Sequence, residues 1–432
     1  MRFQVERDAL AEAVAWVSRA LPARPVIPVL SGLLLDAADG LTLSCFDYEV
    51  SARVRVDAKV VEPGAALVPG RLLAEITRSL PSLPAEFADD PDGVSLTCGS
   101  AAFTLVTLPV EEYPDLPGLP QIAGTVDGGA LAAAISQVAP AASRDDTLPL
   151  LTGVNVEVDG ETMTLAATDR YRLAVRELPW SPAQPGMSGA FLVPARTLAD
   201  AARTMAAGTP VTIKLQSDAP PPEDAGESRS ARADAMIGFD SGGRRLTTRL
   251  IAGEFIKYRS RFPADFGCRA DLPAGPFVEA VRRVSLVAER GSAVRLVFGG
   301  DAVTIEAGTQ GRARARETVP AEFTGAEPEI AFSPHFLLDG LTAAAGAAAS
   351  GDAAAPPSGA DPGRPAGTQP GEPENPPDRG SAVIRLEFSS ATKPAVLTGV
   401  RVRSGPAGSD GAETGAADFR YLVVPLRAPA RQ

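Results

Sequence analysis

Two arginine pairs carry the clearest chemistry in the chain. Arg71 and Arg78 lie seven residues apart, and so do Arg196 and Arg203. On a helix this spacing puts both guanidinium groups on one face, so each pair reads as a short basic stripe. One stripe alone is usually a solvated face. Two copies, in the similar segments VPGRLLAEITRSLP from Val68 and VPARTLADAARTMA from Val193, suggest a surface turned toward a regular array of phosphates. Glu75 follows Arg71 by four residues and Asp200 follows Arg196 by four, so intrahelical ion pairs are expected to absorb part of the charge.

Catalytic and metal chemistry find little footing. The single histidine, His335, removes most His-based triads and zinc sites. It stands in a third copy of the segment, FSPHFLLDGLTAAA from Phe332, at the place of Arg71 and Arg196, with Thr342 at that of Arg78 and Arg203. Cys45, Cys98 and Cys268 are odd in number and far apart, which fits neither a disulfide framework nor a metal spacing and points to a reducing cytoplasm. Cys45 and Cys98 sit in alternating apolar runs and read as core. Cys268, in FPADFGCRADLP, reads as a loop residue open to solvent. No phosphate-binding loop, nucleophile elbow or HExxH motif occurs, and no cofactor or metal is expected. The reading from another class is an enzyme on a repeated α+β scaffold, with acidic catalytic residues assembled from distant positions.

Composition narrows the choice. With 41 Lys+Arg against 53 Asp+Glu, the 432-residue chain has a net charge of −12, which excludes a uniformly basic nucleic-acid binder. Hydrophobic residues make up 45% and aromatics 5%, so aliphatic side chains must fill the core. The charged N-terminal MRFQVERDAL is unlike a signal peptide, and no uninterrupted apolar run is long enough to span a bilayer, so no membrane partner is expected.

The elements that would position the arginines recur three times. PVLSGLLL (28–35), PLLTGVNV (149–156) and AVRLV (293–297) each lead into a β-like run. Before each lies an amphipathic helix pattern: Leu10, Val14, Val17 and Leu21; Leu131, Ile135 and Val138; Phe277, Val281, Val284 and Ala288. The second helix of each unit is the arginine-bearing segment or its third copy. Units at 1–120, 121–250 and 251–432 account for the chain, each alternating helices with antiparallel strands. Polar, Pro- and Gly-rich stretches at 216–235, 345–380 and 404–418 read as disordered inserts.

The segments ATDRYRLAVREL (167–178), RPVIPVLSGLLL (24–35), VPGRLLAEITRSLP, GEFIKYRSRFP (253–263), FSPHFLLDGL (332–341) and YLVVPLR (421–427) together resemble the bacterial DNA polymerase III beta subunits, the sliding clamps. The resemblance implies an α+β fold of three similar clamp domains, each with two helices packed on antiparallel sheets, dimerising into a closed ring around duplex DNA. It implies no catalytic activity, and as partners DNA polymerase III, other clamp-binding proteins, a clamp loader and a second copy of the chain. Arg24, Arg71, Arg78, Arg196 and Arg203 would approach DNA phosphates without reading sequence.

The same resemblance implies a groove for partner peptides. One wall would hold Leu151, Thr168, Arg170, Tyr171, Arg172 and Leu173. The other would hold Phe336, Thr392, Pro394, Leu422, Val424, Pro425, Leu426 and Arg427. Phe103, Leu105 and Leu286 would be dimer contacts. Four positions depart from the family pattern: Ile256 for Pro, Ser260 for a basic residue, Ser333 for Asn and Ala428 for Leu. They bear on partner choice and keep a divergent clamp paralogue, with altered peptide binding, as an alternative.

Overall fold

The computed structural model describes residues 1–118, 120–203, 205, 208–215, 235–289, 291–308, 312–326, 329–350, 381–402 and 418–426. Six α-helices occur among them: α1 (Arg7–Val17), α2 (Gly70–Ser79), α3 (Gly128–Val138), α4 (Ala195–Ala202), α5 (Ala274–Ser285) and α6 (Pro334–Ser350). The helical periodicity is borne out, since Leu10, Val14, Val17, Leu131, Ile135, Val138, Phe277, Val281 and Val284 are all buried. Helices α2, α4 and α5 each start directly after a proline that ends a strand: Pro69, Pro194 and Pro273. The fixed φ of proline suits the entry to a helix, and its missing N–H ends the strand ladder there.

Two compact units divide the chain by contact: Met1–Ala132 with Asn155–Met163 and Pro179–Glu254, and Ala133–Val154 with Thr164–Leu178 and Phe255–Gln432. In the first, α1 packs on α2 over a core that includes Phe3, Leu10, Leu33, Leu43, Leu73 and Phe87. A five-stranded antiparallel sheet ends in the edge strand Ala101–Leu105. In a nine-stranded sheet, Arg244–Arg249 pairs with Val50–Val56, which joins the last strand of the second repeat to the first repeat.

The second unit repeats that joint. Phe419–Val423, the last strand of the third repeat, pairs antiparallel with Arg172–Pro179 of the second. The ladder continues through Ala395–Val402, Ser381–Phe388, Cys268–Pro273 and Glu322–Thr324. A four-stranded sheet ends in the edge strand Arg314–Pro320. Helix α5 packs on α6, and α6 lies against the strands Ser381–Phe388, Ala395–Val402 and Phe419–Val423. Gly340 makes the seating of α6 possible, because a Cβ there would come within 2.4 Å of the Tyr421 ring.

Three expectations need correction. Residues 345–350 belong to α6 and are not part of a disordered insert. Their alanines favour helix strongly, and Ala347 and Ala348 are buried. Cys268 is buried in a strand with the alternating burial of a sheet residue. Leu21 and Ala288 lie beyond the ends of α1 and α5. Of the expected inserts at 216–235, 345–380 and 404–418, residues 216–234, 351–380 and 404–417 lie outside the described residues.

Candidate functional site

The basic stripes come from the first unit. On α2, Leu73, Ala74, Ile76 and Thr77 face the core, which leaves Arg71, Glu75 and Arg78 exposed. The Arg71 guanidinium donates to the Pro22 carbonyl at 3.1 Å, and Arg7 donates to the Arg78 carbonyl at 3.0 Å. On α4, Arg196 is exposed, while Arg203 forms the helix C-cap and pairs with Asp200 at 3.6 Å. Asp200 therefore neutralises part of the Arg203 charge and not, as its spacing suggested, that of Arg196. Arg24 is exposed in the turn after α1.

The residues expected to form the groove lie in the second unit, and a tight turn organises those of one wall. Asp169 accepts the backbone N–H groups of Tyr171 and Arg172, both at 3.0 Å. Thr168 accepts the Arg170 N–H at 3.2 Å and donates to the Arg172 carbonyl at 2.6 Å. This bracing holds Arg170 at φ 80°, a conformation that side chains with a Cβ seldom adopt. The first repeat has the same device, where Asp47 caps the turn and Tyr48 has φ 72°. In the second repeat the turn exposes Tyr171 and sends Arg172 inward.

Arg172 is the hub of the wall, with its side chain only 7% exposed. Its Nε donates to Asp169 at 2.9 Å and its Nη1 to Asp339 at 2.5 Å, while Nη2 donates to the Pro140 carbonyl. Its guanidinium lies 4.6 Å from the centre of the Phe336 ring, which stacks on Tyr171 at 6.1 Å. Burial works against the charge on Arg172, but Tyr421, Asp339 and Asp169 outweigh it and hold its pKa above the ordinary arginine value. The Tyr421 hydroxyl, kept neutral mainly by burial, donates to the Phe336 carbonyl at 2.8 Å.

The C-terminal strand completes the site. Val424 donates its N–H to the Tyr171 carbonyl at 2.9 Å, and Leu426 donates to Ala331 at 2.8 Å. Leu173 and Leu422 share an apolar cluster with Ala166, Val175 and Tyr258, and Phe255 and Phe262 pack against it. Tyr171 and Leu426 remain exposed, and Val424 and Pro425 are half-buried. Thr392 and Pro394 occupy the turn leading into Ala395, whose strand partner is Val423. Leu151 is buried, with its carbonyl accepting from Ser143 at 2.7 Å. The arrangement offers apolar anchoring beside a stacked aromatic pair. Arg427 and Ala428 lie outside the described residues.

Asp169, Asp339, Tyr421 and Tyr258 were missed by the sequence reading. Asp339 had a signal, since it lies three residues after Phe336 and so on the same helical face. Of the departures, Ser333 bonds the His335 ring at 2.9 Å, Ile256 is exposed, and Ser260 donates to the Lys257 carbonyl at 3.3 Å. Of the expected dimer contacts, Leu286 is 82% exposed and Phe103 38%, whereas Leu105 is 1% exposed and belongs to the core of its own unit. Leu105 is the one buried residue of its edge strand, next to the exposed Ala102, Phe103 and Thr104. Among the described residues, no group of three or more His, Cys, Asp or Glu could hold a metal ion, and no helix is long and apolar enough to cross a membrane.

The family models for the DNA polymerase III beta subunit match in chain order: the N-terminal domain over residues 1–117, the central domain over 125–257 and the C-terminal domain over 259–350. The chain is 46% identical over 428 residues to the beta sliding clamp of Streptomyces coelicolor, covering 99% of each protein. It is 47% identical over 343 residues to the beta sliding clamp homolog GriR of Streptomyces muensis, covering 79% of this chain and 88% of that protein. A crystal structure of the DNA polymerase III beta subunit from Pseudomonas aeruginosa superposes with a TM-score of 0.74 at 24% identity, covering 99% of this chain and 100% of the other, which supports the fold alone. With three domains of helices on sheets and a relative matched end to end, the chain belongs to the DNA polymerase III beta subunit family, the beta sliding clamps.

Proposed function

We propose that two copies of this chain pair head to tail into a ring that encircles duplex DNA and tethers DNA polymerase III and other replication and repair proteins to it. The protein itself performs no catalysis. One structural regularity carries the proposal. Val50–Val56 pairs with the last strand of the second repeat, and Arg172–Pro179 with the last strand of the third. The counterpart in the third repeat, Arg314–Pro320, is a sheet edge, and so is Ala101–Leu105, the last strand of the first repeat. Pairing these two edges between protomers would extend the same joint and cover both of these edge strands, with Phe103 and Leu286 as side-chain contacts.

The exposed arginines of α2 and α4, with Arg24, would then touch phosphates weakly enough to slide. The net charge of −12 per chain would keep the remaining surface from competing for DNA. The groove at Tyr171, Arg172 and Phe336 would take a short partner peptide with aliphatic or aromatic anchors. The test is retention on DNA. A ring placed on closed circular duplex by a clamp loader stays bound through a gel-filtration column and leaves when the circle is cut; prompt loss from the intact circle would defeat the topological mechanism.

The second reading, a divergent paralogue with altered partner choice, draws on the comparable identity to the GriR homolog and on Ile256, Ser260 and Ser333. Both readings predict a ring. They separate on peptide binding, which is micromolar in the first and undetectable in the second.

A further inference from the structure

Arg172 has two carboxylate partners, and they do different work. Asp169 belongs to the same turn and also caps its backbone, so its bond to Arg172 Nε is local. Asp339 lies on α6, 167 residues further along the chain, and takes Nη1. Of the two ion pairs, only the second links the turn to the helix that carries Phe336. Asp339 is 41% exposed, whereas Arg172 is nearly buried, so the carboxylate reaches in from the surface to a guanidinium seated in the interior.

The consequence falls on the aromatic wall. Phe336 and Asp339 are one helical turn apart, and Arg172 touches both: a charge-assisted bond to the carboxylate and a cation–π contact at 4.6 Å to the ring. The Phe336 ring in turn meets Tyr171 at 6.1 Å with 18° between planes. We infer that Asp339 is a positioning residue for the peptide groove, holding Arg172 between the turn and α6 so that the Phe336 and Tyr171 rings are set before a partner arrives. The inference rests on the groove reading above. Without the carboxylate, Arg172 keeps Asp169 and Pro140 but has no charged anchor on α6, and the Phe336 ring loses its fixed neighbour. A preset wall binds more tightly than one that must be ordered during binding.

The test uses the full-length protein and a fluorescein-labelled pentapeptide, Gln-Leu-Ser-Leu-Phe, chosen for its two aliphatic anchors and one aromatic anchor spaced by polar residues. Asp339→Asn is expected to weaken binding about fivefold, the order of one charge-assisted bond, while Asp339→Glu stays within about twofold of the parent. In a Phe336→Leu background, Asp339→Asn should cost nothing further, because the residue it positions is gone. In free protein labelled with fluorophenylalanine, the fluorine resonance assigned by Phe336→Leu should shift in Asp339→Asn and stay in place in Asp339→Glu.

Parent-like binding by Asp339→Asn, an undiminished loss in the Phe336→Leu background, or an unmoved Phe336 resonance would each overturn the inference. Failure of the parent protein to bind the pentapeptide would instead remove the groove reading on which it stands. The free-protein resonance keeps the experiment decisive if a variant is too unstable for titration.

Discussion

The backbone N–H of Val424 donates to the carbonyl of Tyr171 at 2.9 Å, which fastens the chain's terminal segment to the turn that carries the groove's aromatic wall. Neither side chain takes part, so the link survives most substitutions at either residue and fails when the donor is removed. Val424→Pro is expected to weaken pentapeptide binding at least threefold, an effect of roughly the size of one net hydrogen bond, while Val424→Ala changes it little. Fluorescence anisotropy on both variants checks this.

Arg172→Ala should destabilise the protein by about 3 kcal/mol, because it strands the mostly buried Asp169 carboxylate and leaves the Pro140 carbonyl without its donor. Arg172→Lys should recover only part of the loss, since an ammonium cannot reach Asp169, Asp339 and Pro140 from one planar group. Chemical denaturation of both variants reads the difference.

Gly340→Ala places a methyl group within 2.4 Å of the Tyr421 ring. Overpacking of this kind costs about 1–3 kcal/mol, and here it would also displace the hydroxyl that holds the Phe336 carbonyl. A lowered melting temperature together with weaker peptide binding is the expected outcome.

Leu286→Asp should convert dimer to monomer in native mass spectrometry and leave the protomer folded, since the Leu286 side chain is almost wholly outside the core. Leu105→Asp should instead unfold its unit, because it buries a charge without a partner. A folded dimer of Leu286→Asp would remove that residue from the interface.

Asp271 supplies a pH dependence. Burial pushes its pKa up, but hydrogen bonds from Arg385 and Arg269 more than offset this and hold it below the ordinary value of 3.8. The folded pKa is the lower one, so its stabilising contribution is present above the unfolded value and is lost as pH falls through the folded value. Asp271→Asn should therefore lower stability at neutral pH and flatten the decline in stability below about pH 4, as urea titrations across that range would record.

The repeat was legible because its buried positions keep a strict period. Leu131, Ile135 and Val138 mark a helix as clearly as Leu10, Val14 and Val17 do, and all six are buried. The end of α6 was not legible, because an alanine and glycine run has the composition of an insert and only the tertiary fit of Ala344, Ala347 and Ala348 shows it to be core. Cys268 was misread for a related reason: Gly267 before it imitates a loop, while its strand partner Phe388 lies 120 residues away. At the candidate site, the residues proposed to meet a partner come from the family resemblance and not from their spacing. Asp339 and Tyr421, which bond Arg172 and the Phe336 carbonyl, lie in the matched segments, but apart from the spacing of Asp339 from Phe336 nothing in the sequence singles them out.

If Ala101–Leu105 of one copy pairs with Arg314–Pro320 of another, as proposed, this chain is a link with unlike ends. A link that can join a copy of itself at both ends either closes or grows, and the rotation at the joint decides which. A substitution that leaves Ala101–Leu105 and Arg314–Pro320 competent to pair, yet alters the angle between them, would then produce filaments and not free monomers. Defects at this interface fall into two kinds: those that abolish pairing yield soluble single chains, and those that misdirect it yield polymers that enclose no DNA.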